Sequence, residues 1–254
     1  MTSSAALLTA MRLSDSMLPV GTYTASYGVE QYLNEGEIET ADQLGELLAG
    51  YLRGVIGPAE IVALGHAHRS AAIGDLDGVL TADERLGAAT LPAEFRDSST
   101  KAGQKLLDLF AETDADPTDD ADGRTASGGD ADPLVESTAD GAIVDFATAC
   151  KAGRADGHHP VVLGVVCQWA GLSSREAALV NAYSLASGLL AAAQRLGRFG
   201  HTAIQSQLSG LFPVIEEVSD RYHTAELDAM YSFAPLTDVM GMTHERADRR
   251  LFMS

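Results

Sequence analysis

SSREAALVNAYSLASGLLAAAQRLG, Ser173 to Gly197, reads as one helix from end to end. Ser173 and Glu176 form a capping box, in which the hydroxyl accepts a first-turn N–H and the carboxylate reaches back to the cap's own N–H. Leu179, Ala182, Tyr183, Ala186, Leu189, Leu190, Ala193 and Leu196 then recur three or four apart, the period of an apolar stripe on a helix. Ala178, Ser187, Gly188 and Ala192 are small enough to let a second backbone come close, so the segment is expected to be a central helix of a bundle.

The same punctuation continues outward. Thr40 with Gln43 is a second capping box, followed by Leu44, Leu47, Leu48, Tyr51, Leu52 and Val55 on one face. Gly57-Pro58 is expected to end that helix and start another, because a proline costs nothing in a first turn whose N–H groups are unpaired anyway. Pro92 and Pro160 can open helices in the same way, and the Val-rich run Val161 to Val166 continues through Cys167, Gln168 and Trp169 as helix better than as strand. Alternating β-branched runs are absent. The expected fold is all-α, a single domain of about eight to ten helices spanning residues 1–254.

Composition narrows the function. Seventeen Lys and Arg stand against 36 Asp and Glu, a formal charge of -19, which offers no basic surface for phosphate and excludes a nucleic-acid partner. Lysine occurs only as Lys101, Lys105 and Lys151. Excess acid, scarce lysine and many small residues suit a halophilic protein, since at about 1 M salt the Debye length falls to about 3 Å and self-repulsion is screened. Aromatics are 6% against 46% hydrophobic residues, so the core must be built from Ala, Leu and Val. From Glu112 to Gly141 ten acids accompany one base, Arg124, with Gly, Ser, Thr and Pro between. Residues 113–133 at least have too little apolar surface to offset ordering, and are expected to form a disordered loop between two helices. Cys150 and Cys167 suit a reduced cytoplasmic setting rather than a disulfide framework. Met1 to Ala10 lacks the basic start of a secretory signal, and Ala177 to Leu196 carries too many polar residues for a membrane span.

A search for chemistry finds little. His66 and His68, two apart on a helix, point about 200° from each other and do not share an ion unaided. His158-His159, in a Gly-bounded turn before Pro160, could take a divalent ion with a nearby cysteine, or could simply cap a helix on a surface turn. His244-Glu245 has no histidine four residues on, so the zincin pattern fails. Neither a nucleophile elbow nor a phosphate-binding glycine loop is present, and no catalytic residue is assigned.

Four ordered stretches nevertheless carry a resemblance. Leu18-Pro19-Val20-Gly21, with Tyr23, Ser26, Gly28 and Glu30, resembles the amino-terminal signature of the UreF family of urease accessory proteins. Glu94-Phe95-Arg96 with Ser98, Ser99, Gly103 and Leu106-Leu107 resembles that family's second motif, and Arg195-Leu196 with Gly200 and Gln205 its third. His244-Glu245, then Arg249-Arg250-Leu251-Phe252 and Ser254, resembles its ending. Thr22, Val29 and Met253 depart from the family's usual glycine, leucine and arginine, and the acidic stretch has no counterpart there. With its acid-rich composition the chain is expected to be a haloarchaeal type of the family.

The resemblance implies a helper rather than an enzyme. It implies an all-helical homodimer that joins UreD (also called UreH) and the GTPase UreG to deliver nickel into apo-urease, with no cofactor of its own and no tightly held metal. It also implies that the tail, with Arg246, Arg249, Arg250, Leu251 and Phe252, holds UreD. In strong salt such recognition rests on apolar anchors and arginine forks rather than long-range steering. The alternative is a helical cytosolic metal binder or enzyme using His158, His159 and His244. Because doubling a loop's length costs only about 0.6 kcal/mol, replacing residues 113–133 by a short Gly-Ser linker is expected to leave the melting temperature and urease activation unchanged. A large loss of stability in thermal melts would show that the segment packs.

Overall fold

The computed structural model describes residues 2–21, 26–114, 133–246 and 251–252. Among them there is no strand. The α-helices are α1 (Ser4–Leu13), α2 (Val29–Asn34), α3 (Ala41–Tyr51), α4 (Val62–Ala72), α5 (Leu76–Ala89), α6 (Ala93–Asp114), α7 (Pro133–Lys151), α8 (His159–Trp169), α9 (Ser174–Arg195), α10 (His201–Tyr222) and α11 (Pro235–His244). A π-helical segment, Leu52–Ile61, joins α3 to α4, so that Ala41–Ala72 is one continuous rod and the described residues form ten helices plus a 3-10 turn at Leu227–Ala229. The all-α expectation holds.

Both capping boxes are present. Thr40 Oγ1 accepts the Gln43 N–H at 3.2 Å while Gln43 Oε1 accepts the Thr40 N–H at 3.0 Å. Ser173 and Glu176 repeat the exchange at 3.3 and 2.7 Å. Pro160 lies in the first turn of α8, and Pro92 immediately precedes α6, its carbonyl accepting the Arg96 N–H. The expected loop at 113–133 is shorter at both ends, since α6 runs through Asp114 and α7 starts at Pro133. Residues 115–132 lie outside the described residues.

Gly57-Pro58 does not break the chain into two helices. A proline inside an α-helix lacks the N–H owed to the carbonyl four residues back, and its ring crowds that carbonyl. Here the turn widens to a π-helix, and the Gly54 carbonyl instead accepts the Phe233 N–H at 2.9 Å. The Pro58 carbonyl accepts the Tyr231 N–H at 3.2 Å, so the irregular helix becomes the mooring for the segment that leads into α11. The proline acts on tertiary structure through the acceptor it leaves free.

The core centres on α4, α8 and α9. In α8, Pro160 through Cys167 are all buried, with α4, α6, α7 and α9 packed around them. α4 and α8 approach so closely that a methyl group at Gly164 would lie 2.5 Å from the Leu64 carbonyl oxygen. α9, expected to be central, shares the middle with α8: Ala178 and Ala192 are buried, whereas Gly188 borders open space along a cleft. The rods Ala41–Ala72 and Ser174–Arg195 are long and apolar enough to cross a membrane, but more than half of each apolar window, 61% and 56%, is buried inside the bundle, as in core helices.

At Gly57 a Cβ would stand 2.6 Å from the ring of Tyr222, itself buried in the core. Gly57→Ala is expected to cost about 1–3 kcal/mol through overpacking, read as a lowered denaturant midpoint at fixed salt. An unchanged midpoint would mean that the ring swings aside freely.

Candidate functional site

Four distant segments meet at one buried cluster. Gly28, at φ +80°, caps α2 and lies against the backbone of Gly241 in α11. A methyl group at Gly241 would come within 2.7 Å of the Phe95 ring, so α11 can lie across the start of α6 only because that position is glycine. The approach brings Glu30 of α2, Glu94 of α6 and His244 at the end of α11 together, with His244 1% exposed and Glu30 2% exposed. His244 Nδ1 lies 2.8 Å from Glu94 Oε2, and His244 Nε2 lies 3.2 Å from Glu30 Oε2.

The imidazole is thus pinned between two carboxylates. A neutral ring has one N–H and one lone pair, so it donates from both nitrogens only as imidazolium. Glu30 also reaches the tail: its Oε1 accepts the Leu251 N–H at 2.9 Å and its Oε2 the Phe252 N–H at 3.0 Å. Glu245 Oε1 accepts the Glu94 N–H at 3.1 Å, satisfying a donor that the first turn of α6 leaves open. Arg195, at the end of α9, places its guanidinium 4.9 Å from the centre of the Phe252 ring. Arg96 binds the Thr90 and Leu91 carbonyls at 2.6 and 2.7 Å, fixing the α5–α6 connection beside the cluster.

The sequence candidates are therefore sorted by the fold. Glu30, Glu94, Arg195, His244, Glu245 and Phe252 come together, and Arg96 stands next to them. Leu18 packs on the core near the amino terminus, Pro19 is exposed beside it, and Gly21, at φ +87°, lies against Lys105 of α6. Gln205 is exposed on the rim of the cleft and does not join the cluster. Arg246 is exposed and Leu251 is 80% exposed. Tyr23, Arg249 and Arg250 lie outside the described residues.

The histidines of the alternative reading assemble no metal-ligand group among the described residues. His158 is buried at the start of α8, and the loop before it is held by Asp83 of α5, whose carboxylate accepts the N–H groups of Asp156, Gly157 and His158 at 2.7, 2.9 and 2.7 Å. The turn is internal, contrary to a surface reading. His159 borders the cleft, where burial pushes its imidazole down to about 4 and keeps it neutral. His68 Nε2 meets the Leu172 carbonyl at 2.8 Å and ties α4 to the α8–α9 turn. No group of three or more His, Cys, Asp or Glu among the described residues is arranged to hold a metal ion.

Sequence reasoning missed Asp83 and Glu60. Each sits within a helical run as one acid among many, and the Gly-bounded turn at Gly157 showed that a loop needed holding but not which side chain held it. Glu60, in the π segment, faces a cleft of about 420 Å³ bordered also by Tyr27, Ser99, His159 and Asn181. Asn181 Nδ2 donates to Glu60 Oε2 at 3.0 Å, yet desolvation dominates and the carboxyl is pushed up to about 7. The folded chain then holds a proton that the unfolded chain releases near 4.5, so stability is lost as pH rises from 4.5 through 7. Glu60→Gln is expected to abolish this, gaining up to about 3 kcal/mol on the natural chain between pH 4.5 and pH 8 in paired denaturation curves. A difference independent of pH would show that Glu60 ionises freely.

Comparison with known proteins agrees with the motifs. The UreF family profile matches residues 38–212. The urease accessory protein UreF of Trichodesmium erythraeum is 31% identical over 245 residues, covering 96% of this chain and 95% of the relative. Those of Yersinia enterocolitica and Yersinia pseudotuberculosis are each 28% identical over 246 residues, covering 97% of both chains. With a profile spanning most of the chain and relatives aligned along nearly all of it, this chain belongs to the UreF family of urease accessory proteins, which are helpers and not enzymes.

Proposed function

We propose that this chain serves urease maturation by helping to assemble nickel into apo-urease, acting as a homodimer in a cytoplasmic complex with UreD (UreH) and the GTPase UreG. Nickel is cargo of the complex in this reading, and the chain needs no cofactor. The charge of -19 with three lysines supports a halophilic, haloarchaeal-type setting for that work.

The observation that carries the proposal is where Glu30, Glu94, His244 and Glu245 converge. They clamp the described tail residues Leu251 and Phe252 to the bundle. Leu251 stands 80% exposed, and on α11 Leu236 is 57%, Val239 50% and Met242 37% exposed, with Phe233 72% exposed just before the helix. Apolar side chains grouped on one helix face beside arginines are the chemistry of a protein interface. They suit UreD as the occupant, in line with the role of this ending in the family.

The metal-binder alternative gains no support, since among the described residues no group of three or more potential ligands, His158, His159 and His244 included, is arranged to hold a metal ion. Removal of Arg246 to Ser254 is expected to leave a folded helical bundle and to abolish co-purification with UreD and urease activation, both followed at working salt. A truncated chain that still retains UreD would overturn the assignment of the tail. One without helical circular dichroism would instead show that the tail is part of the core.

A further inference from the structure

We infer that Glu30 is the receptor for the carboxyl-terminal tail, and through it a positioning residue for the partner-binding surface. The second half of this inference rests on the function proposed above; the first rests on geometry alone.

Two consecutive backbone N–H groups, those of Leu251 and Phe252, converge on one carboxylate. Successive N–H groups aimed at an anion form a concave anion site, here provided by the tail and filled by Glu30. Leu251 projects into solvent, and Phe252 is only partly covered, lying under Arg195. At these two residues docking draws on the charge-assisted hydrogen bonds, which are about twice as strong as neutral ones.

The receptor is also rigidly aimed. Glu30 lies in the first turn of α2, where Gly28 meets Gly241, and His244 engages its Oε2 from the other side. Glu94 holds the far nitrogen of that imidazole. The tail is thereby gripped at His244–Glu245 and again at Leu251–Phe252, which sets where Arg246 and the Leu251 side chain face outward. Glu30 need not touch a partner to decide what the partner meets.

The test uses the full chain and a change on each side of the contact. Leu251→Pro deletes one N–H at an exposed position, and Leu251→Ala keeps it. Glu30→Gln keeps the shape of the acceptor but turns an amide NH₂ toward the donors. Tryptic cleavage after Arg246, a bond that the substitutions at position 251 leave intact, followed by mass spectrometry in high salt, is expected to quicken at least tenfold in Leu251→Pro and in Glu30→Gln, and to stay unchanged in Leu251→Ala. Unchanged release in Leu251→Pro would overturn the latch, even if Glu30→Gln failed to fold.

Binding of UreD is the second readout. It is expected to weaken at least tenfold in Leu251→Pro beyond any loss in Leu251→Ala, and Glu30→Gln is expected to add nothing once Arg246 to Ser254 are removed. A tail that is released while UreD binds as before would overturn the positioning role and the proposed use of the tail, and leave the latch standing. A further loss from Glu30→Gln in the truncated chain would show that Glu30 acts on the partner by another route.

Discussion

A carboxylate removed from water must find a full set of donors, and the burial of Glu30 is the constraint on which the carboxyl-terminal third of this structure turns. Its donors come from the imidazole of His244 and from the backbone at Leu251 and Phe252. Each demands that a separate segment end at the same point. Meeting that demand fixes the crossing of α2 with α11, the position of α11 over the start of α6, and the return of the tail.

Such crossings are possible because the bundle is built from small residues. With aromatics at 6%, few large rings hold the helices apart, and at Gly164 and Gly241 the neighbouring helix or ring occupies the space of a missing side chain. Close backbones bring polar groups from different helices within hydrogen-bond reach, which is how Asp83 holds a loop more than 70 residues away in sequence. The same economy leaves gaps where the helices diverge, and the cleft beside Gly188 is one of them. Glu60, facing that cleft from a widened turn, is a carboxyl whose charge the fold opposes rather than satisfies.

A helper protein needs surfaces more than reactive groups, and the distribution of polar residues fits that need. Glu30 and His244 are buried where the described tail residues return, while apolar side chains face outward on α11. In the salt-rich setting proposed above, a charge-steered encounter would be ineffective over more than a few ångströms, and a contact surface of this kind suits the proposed role.

The capping boxes at Thr40 and Ser173, the helical spacing through α9 and the proline that opens α8 were legible because each depends on residues within four positions of one another. The four family motifs were legible as text, and named the chain's relatives. That Glu30, Glu94, Arg195 and His244 are parts of a single cluster was not legible, since Glu30 and His244 are 214 positions apart and no periodicity links them. Pro58 marks the same boundary: the sequence showed a residue that cannot donate, but only the fold supplied Phe233 to use the carbonyl left over. Local hydrogen bonding and apolar period are written in short windows of sequence. Which buried charge meets which donor is settled only when distant helices close to contact distance, because only there does the cost of leaving a group unpaired select its partner.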